Sequence, residues 1–338
     1  LDAETIHRDA VIIDAVAPLL DKKRYLDSYI AGGVTCVAPS VAGGMTTAAE
    51  VLKTIGGWMH VIKSRTDLQL VEKASDIEAA KRDGRTGIMF HFQGTGPFGT
   101  DLDLVEAFQA LGVRMVQLTY NRKDYVGDGC EEAFDGGLSR FGKNLVRRLN
   151  ENRIIVDCTH TGYKTTMEAL SLTTRPAVFS HSNSAAIFPS KRNIEDDQAK
   201  AAAATGGLVG ITAVPWFIVP ANGGEARPSL DDLIAHLDHF VSLVGIDHVG
   251  LGLDYWWATP PFADLDTVME DWEKAVSEGS YTPEVYPRPP HYQPPEIDTP
   301  EMLLGLTNGL VRRGYKENDI RKILGLNWLR VFREVWGE

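Results

Sequence analysis

The chain has 338 residues, 43% of them hydrophobic and 24% charged, an ordinary globular composition that excludes collagen, coiled coil and wholesale disorder. Lys and Arg number 34 against 46 Asp and Glu, a net charge of −12, so nucleic acid and anionic membrane are not expected partners, because both call for a basic face. The three cysteines lack C-x-x-C spacing, which removes a disulfide framework or a cysteine zinc knuckle. No apolar run approaches the roughly 18 residues of a membrane span; a cytoplasmic location is the expectation, with export left open because the first residue is Leu1.

In chain order, short apolar β-rich runs fall at 10–16, 33–40, 87–93, 114–120, 154–160, 177–181, 208–212 and 248–254. Most are continuously hydrophobic rather than alternating, as suits parallel strands buried on both faces. Amphipathic stretches lie between them, at 46–63, 101–110, 139–150, 165–172, 195–204 and 229–243. The last opens S-L-D-D, a serine cap followed by acids that favour the positive end of a helix. Strand and helix alternating eight times predict an α/β fold, a (β/α)8 barrel in one domain over 1–338. A doubly wound open sheet is second, since no G-x-G-x-x-G follows an early strand. A Pro- and aromatic-rich stretch at about 255–300 reads as an irregular loop inserted after the eighth strand. Helical character returns from 300, and Trp328, Val331, Phe332 and Trp336 form a stripe expected to pack on the barrel.

Chemistry in such a barrel gathers where strands end. The residues there are Val16, Ala17 and Pro18, then Cys36, Gln93, Tyr120 with Asn121, His160, His181, Thr212 and Asp254. His160 and His181 are one βα unit apart, so they end adjacent strands and aim at one point. A lone histidine is more often a hydrogen-bonded core residue, but two neutral imidazoles at adjacent strand ends, with Asp254 at the last, suit a divalent metal. His91 shares the inward face of Gln93 and is a reserve ligand. Cys158, two before His160, is expected inward but deeper, as a core thiol. His236 and His239 fall on a helix and read as structural.

Four blocks then resemble one family. They are TH with FSHSNSAAIFPSKRNIEDD, GLSRFGKNLVRRLNENRIIVDCTH, HLDHFVSLVGIDHVGLGLD and LGLNWLRVF. Together they are similar, in order and over nearly the whole chain, to the membrane (renal-type) dipeptidases, peptidase family M19 of the amidohydrolase superfamily. The resemblance implies a two-zinc site that cleaves dipeptides with a bridging hydroxide. It also implies that His160 and His181 match second-metal ligands, Arg192 the substrate-carboxylate arginine, and Asp254 the strand-eight aspartate. Three positions depart. The family's D-G-H-x-D is Asp14-Ala15-Val16-Ala17-Pro18 here, its bridging glutamate is Gln93, and its histidine after strand four is Tyr120.

Losing two carboxylates leaves two dications about 3.5 Å apart without compensation, so at most one metal is expected. The expected cofactor is one divalent metal, zinc, or none, with His160, His181 and Gln93 as ligands. Asp254 is the expected general acid–base and Tyr120 an oxyanion donor; Arg192, Tyr120, Asn121 and Tyr255 are the expected substrate contacts. The expected function is a dipeptidase-like hydrolase of an amide or related bond in a small anionic substrate, mononuclear and poor on ordinary dipeptides. A lyase, decarboxylase or isomerase, or an inactive binding protein, is the alternative. A homodimer is expected, with Trp328 and Trp336 as interface aromatics.

Overall fold

A computed structural model describes residues 2–219 and 227–338. Among the described residues there are eleven short strands, numbered in chain order, and all but β4 build the barrel wall: β1 Ile13–Asp14, β2 Cys36–Val37, β3 Ser40–Gly43, β4 Leu68–Leu70, β5 Thr86–Ile88, β6 Phe90–Gln93, β7 Val113–Gln117, β8 Ile155–Asp157, β9 Ala177–Val178, β10 Val209–Ile211 and β11 Val249–Leu251. The second and third predicted runs are each split in two, β2 with β3 and β5 with β6. Every ladder is parallel, with Ile13 opposite Cys36, Ser40 opposite His91, Met115 opposite Ile155, Val156 opposite Ala177 and Val209 opposite Val249. A parallel bridge from Phe179 to Val209 joins β9 to β10. Ala15 N–H donates to Leu251 O at 3.3 Å and closes β11 on β1. The wall is thus a (β/α)8-type barrel, with helices packed outside.

Glycines permit the closest strand approach. A Cβ on Gly210 or Gly252 would lie 2.0 or 1.8 Å from Ser180 O, so any larger residue would push the strand bearing His181 out of line.

Most predicted helices stand within a few residues of their expected ends. Ser139 Oγ caps Arg140–Glu151 by accepting from Gly142 N, and Ser229 and Asp232 form a capping box on Leu230–Val244. The differences are additions. β4 pairs with β5 outside the eight-run pattern, helix Ala74–Asp83 follows it, and helix Leu265–Ser277 occupies the stretch read as irregular. Asp264 caps that last helix by accepting from Thr267 N, a signal that the surrounding prolines mask. No helix among the described residues is long and apolar enough to cross a membrane.

The core has two layers. A large cluster joins outward-facing strand residues such as Val37, Phe90, Val116 and Val156 to the helices. A second gathers Ile13, Cys36, Met89, Met115, Ile155, Val178 and Leu208 with Trp328, Val331, Phe332 and Trp336. The C-terminal stripe therefore packs on the barrel as expected. Trp328 and Trp336 are 0% and 7% exposed, and their indole N–H groups donate to Leu251 O and Arg114 O. That corrects their reading as interface aromatics, and the argument for a dimer drawn from them falls.

Candidate active site

Three non-glycine residues at the barrel mouth have left-handed backbone: Asn121 (φ 60°), His160 (φ 62°) and Asp254 (φ 59°). Asn, His and Asp tolerate this region better than most residues, yet it is uncommon and concentrates at functional sites. Each turn lies just past β7, β8 or β11 and swings its side chain across the mouth. The break at His160 also explains a correction. Asp157, not Cys158, points into the barrel, and Cys158 joins the outer cluster.

His160 and His181 do converge, with Nε2 atoms 3.0 Å apart and rings in an edge contact. What lies behind them determines which nitrogens carry protons. Burial raises the Asp157 carboxyl, but the His91 hydrogen bond and charge, then His181 and Ser180, outweigh it and hold Asp157 at about 2. Ionised, it only accepts. Its Oδ1 takes Thr159 N–H at 3.0 Å and Ser180 N–H at 2.9 Å, and its Oδ2 takes His91 Nε2–H at 3.2 Å and the Ser180 hydroxyl. Having spent its proton on Asp157, Ser180 Oγ accepts from His181 Nδ1–H at 2.7 Å. On the other side His160 Nδ1–H donates to Asn121 Oδ1 at 2.5 Å. Both Nδ1 atoms are therefore donors, and both Nε2 atoms are lone pairs that face each other.

Two lone pairs at 3.0 Å repel unless a cation lies between them. A proton is disfavoured there, because burial, then Arg192, drives both imidazoles well below their ordinary pKa. One zinc would hold both, since ligands each about 2 Å from it lie at most about 4 Å apart. The donor set therefore fits one divalent ion. It does not fit two. Val16 is fully buried, Pro18 stands in the cleft beside Gln93, and neither offers a ligand atom. Among the described residues no group of three or more His, Cys, Asp or Glu converges on one point. Asp254 comes nearest, its Oδ2 being 3.9 Å from His181 Nε2.

Burial pushes Asp254 up to about 7 against the pull of Arg192, with Asp14 raising it further and a Gln93 hydrogen bond lowering it. Tyr120 stacks on His160 with centroids 4.1 Å apart, and burial, then Asp254, raises its phenol. Gln93, Tyr120, His160 and Asp254 share a narrow cleft of about 60 Å³ with Trp216, Tyr281 and Tyr286. A wider cavity of about 780 Å³ reaches Pro18, Gln93, Tyr120 and Trp256 from outside.

Other expected site residues lie elsewhere. Tyr255 is fully buried, its hydroxyl donating to Ile297 O, and Trp256 lines the cleft in its place. Asn121 sits behind His160 rather than in the cleft. Arg192 is 2% exposed. Its Nη2 donates to His181 O at 3.2 Å, and its guanidinium covers Phe217. No carboxylate among the described residues pairs with it, and it lines a separate cavity of about 230 Å³ that also reaches His160. His91, the reserve ligand, is committed to Asp157. His236 holds the loop after β9, accepting from Ser184 N and bonding Ile218 O. Asp157 and Ser180 were missed; an acid inside the apolar run IIVDC was the available signal.

Fold and site together define a barrel of the amidohydrolase superfamily with an altered metal site. The profile of the membrane dipeptidases, peptidase family M19, matches residues 34–270, and the chain belongs to that family. An amidohydrolase from Pseudomonas aeruginosa is 30% identical in sequence and superposes with a TM-score of 0.85, each chain covered over 100% of its length. The probable dipeptidase PvdM of the same organism shares the fold, with a TM-score of 0.81 at 19% identity over 99% of this chain and 97% of that one. Among sequence relatives, an uncharacterized Klebsiella pneumoniae protein from the pqqA 5' region is 28% identical over 80% of this chain and 89% of its own. Dipeptidase tcpJ of Claviceps purpurea is 26% identical over 79% of this chain, which spans 55% of that relative's length.

Proposed function

We propose that this chain is a dipeptidase-like hydrolase that cleaves an amide or related bond in a small carboxylate-bearing substrate, with one divalent metal, zinc, held by His160 and His181. The observation that carries the reading is the pair of facing Nε2 lone pairs, each fixed by a hydrogen-bonded Nδ1–H behind it. Outer partners of this kind orient metal-ligating imidazoles. When bound, such an ion supplies a Lewis acid that acidifies water and polarises a carbonyl.

The chain's own residues do the rest. Asp254, raised to about 7, exchanges a proton at Oδ2 near neutral pH, which suits a general acid–base. Gln93, a neutral hydrogen-bond partner of Asp254, orients that carboxyl and adds a carbonyl oxygen to the cleft. The Tyr120 hydroxyl donates to a developing oxyanion. Arg192 binds the substrate carboxylate from its own cavity, which the lack of a protein partner leaves open to it. Trp216, Tyr281 and Tyr286 exclude water and wall the other half of the substrate.

Metal analysis of protein purified without added metal tests this, with one equivalent expected and loss of it in His160→Ala. Zero or two equivalents in the unaltered protein overturn the reading. Ordinary dipeptides with added zinc should be turned over below about 10⁴ M⁻¹s⁻¹, the lower edge of usual enzyme efficiency.

A further inference from the structure

The cleft that holds Asp254 and Tyr120 contains a polar group that the fold does not use. Gln293 lines it and is 2% exposed. Its Oε1 is buried with no hydrogen-bond partner among the described residues. We infer that Gln293 is a specificity-determining residue, whose amide binds an uncharged hydrogen-bonding group, such as a carboxamide, on the half of the substrate away from its carboxylate. The inference rests on the hydrolase reading above and narrows its substrate class to an N-acyl amino acid with a neutral, polar acyl group, in place of a free dipeptide.

Burying an amide without a partner costs stability, so a protein keeps one where a ligand or ordered water completes it. A cleft of about 60 Å³ holds a few waters, and a ligand that displaces them has to supply the same hydrogen bonds. No hydrogen bond among the described residues fixes either end of the Gln293 amide. A carboxamide carries the same donor and acceptor, so it pairs with that amide whichever way the side chain turns. Trp216 points to the same need, for it lines the cleft and its indole N–H is buried without an acceptor. The ligand's charge follows from the other lining residues. No Lys or Arg among the described residues is one of them, and the one carboxylate is Asp254, which is assigned to proton exchange. An ammonium buried beside Gln293 would stay uncompensated, whereas a neutral amide would not.

The segment that carries Gln293 is held over the mouth. Pro294 follows and keeps the Gln293 backbone out of the helical region. Two residues earlier, His291 packs on Trp216 with centroids 5.0 Å apart, and its Nε2–H donates to Pro287 O at 2.8 Å. Tyr286, in the same segment, stacks on Tyr281 with centroids 4.0 Å apart, and its hydroxyl is hydrogen-bonded to Asn121 at 2.8 Å. Gln293 therefore belongs to a fixed wall of the cleft.

Gln293→Met keeps the length of the side chain and removes both polar atoms. Three compounds that share one scissile amide serve as probes: malonamoyl-alanine, its hydrocarbon isostere isovaleryl-alanine, and glycyl-alanine, each in both configurations. Binding is read from tryptophan fluorescence of the full chain supplied with zinc, and cleavage from the alanine released. Malonamoyl-alanine should bind at least about 10-fold more tightly than either of the others, and its advantage over isovaleryl-alanine should vanish in the variant. The urea midpoint of Gln293→Met should stay level or rise, because no protein partner is lost. Equal binding of the two isosteres by the unaltered protein, a preference for glycyl-alanine, an advantage kept in the variant, a lowered midpoint, or no binding of any probe overturns the inference. Selective binding without release of alanine sustains it and removes the hydrolase reading.

Discussion

Asp14→Asn should make the protein more stable at pH 8 while leaving it little changed at pH 4. Asp14 is fully buried. Its Oδ1 accepts from Leu253 N at 2.9 Å and, at a long 3.5 Å, from Val16 N, and its Oδ2 has no partner. Burial therefore dominates and pushes the carboxyl from 3.8 up to about 7, against the two backbone hydrogen bonds. A folded-state pKa above the unfolded value means that the folded chain binds the extra proton. Stability from this group is full below about pH 4 and is lost as pH rises through 7. Three pH units at 1.36 kcal/mol each make the loss roughly 4 kcal/mol. The measured effect will be smaller, because Asp14 raises Asp254, and interacting carboxyls share their proton release. Asparagine keeps the acceptor for Leu253 N and cannot ionise. Urea unfolding of both proteins from pH 4 to 8 is the assay, and their difference should grow with pH by 1 to 4 kcal/mol, a range set by that coupling. Parallel stability curves would mean that Asp14 is solvated or paired in a way the geometry does not contain.

Three further outcomes follow from the same geometry. Ser180→Ala removes the hydroxyl between Asp157 and His181 Nδ1, so zinc affinity should fall about 10- to 100-fold; unchanged affinity in a competition titration would show that the tautomer of His181 is set otherwise. Gln93→Glu puts a carboxylate beside Asp254 and should raise the pKa of Asp254 further, yet metal content should stay at one because Val16 and Pro18 remain without ligand atoms; two equivalents by elemental analysis would refute the charge argument. Trp328→Ala empties a fully buried site and leaves Leu251 O without its donor, which should cost about 3–5 kcal/mol in denaturant unfolding; a loss under 1 kcal/mol would mean that the barrel floor is held by other residues.

The barrel could be read from the chain because its strands are buried on both faces and appear as uninterrupted apolar runs. β4 was missed for the opposite reason. Leu68–Leu70 lies outside the ring, half-buried, and its L-Q-L pattern is too short to stand out. His160 and His181 were legible from their one-unit spacing, and Val16, Pro18 and Gln93 from comparison with a motif. The parts of the site that escaped depend on direction rather than identity. Nothing in the order of residues announces that His160 and Asp254 take left-handed backbone, and that turn is what buries Tyr255 and puts Trp256 in the cleft. Nor can spacing join Asn121 to Tyr286, because the contact exists only once a proline-rich segment has folded back over the mouth.

The floor of the barrel has a consequence for how the protein is made. Ile13, Met115, Ile155 and Leu208 come from strands, or the residue just before one, spread along the chain, but the side chains that seal them from below, Trp328, Phe332 and Trp336, belong to helix Asn327–Trp336, far along the chain from all of them. A growing chain therefore exposes every strand before the residues that cover their lower ends have been synthesised. Until then the ring has an open apolar base, the kind of surface that draws nascent chains into aggregates or onto chaperones. Formation of that helix is the event that commits the barrel, so truncation before Asn327 would leave the apolar base open and lower the yield of folded protein sharply.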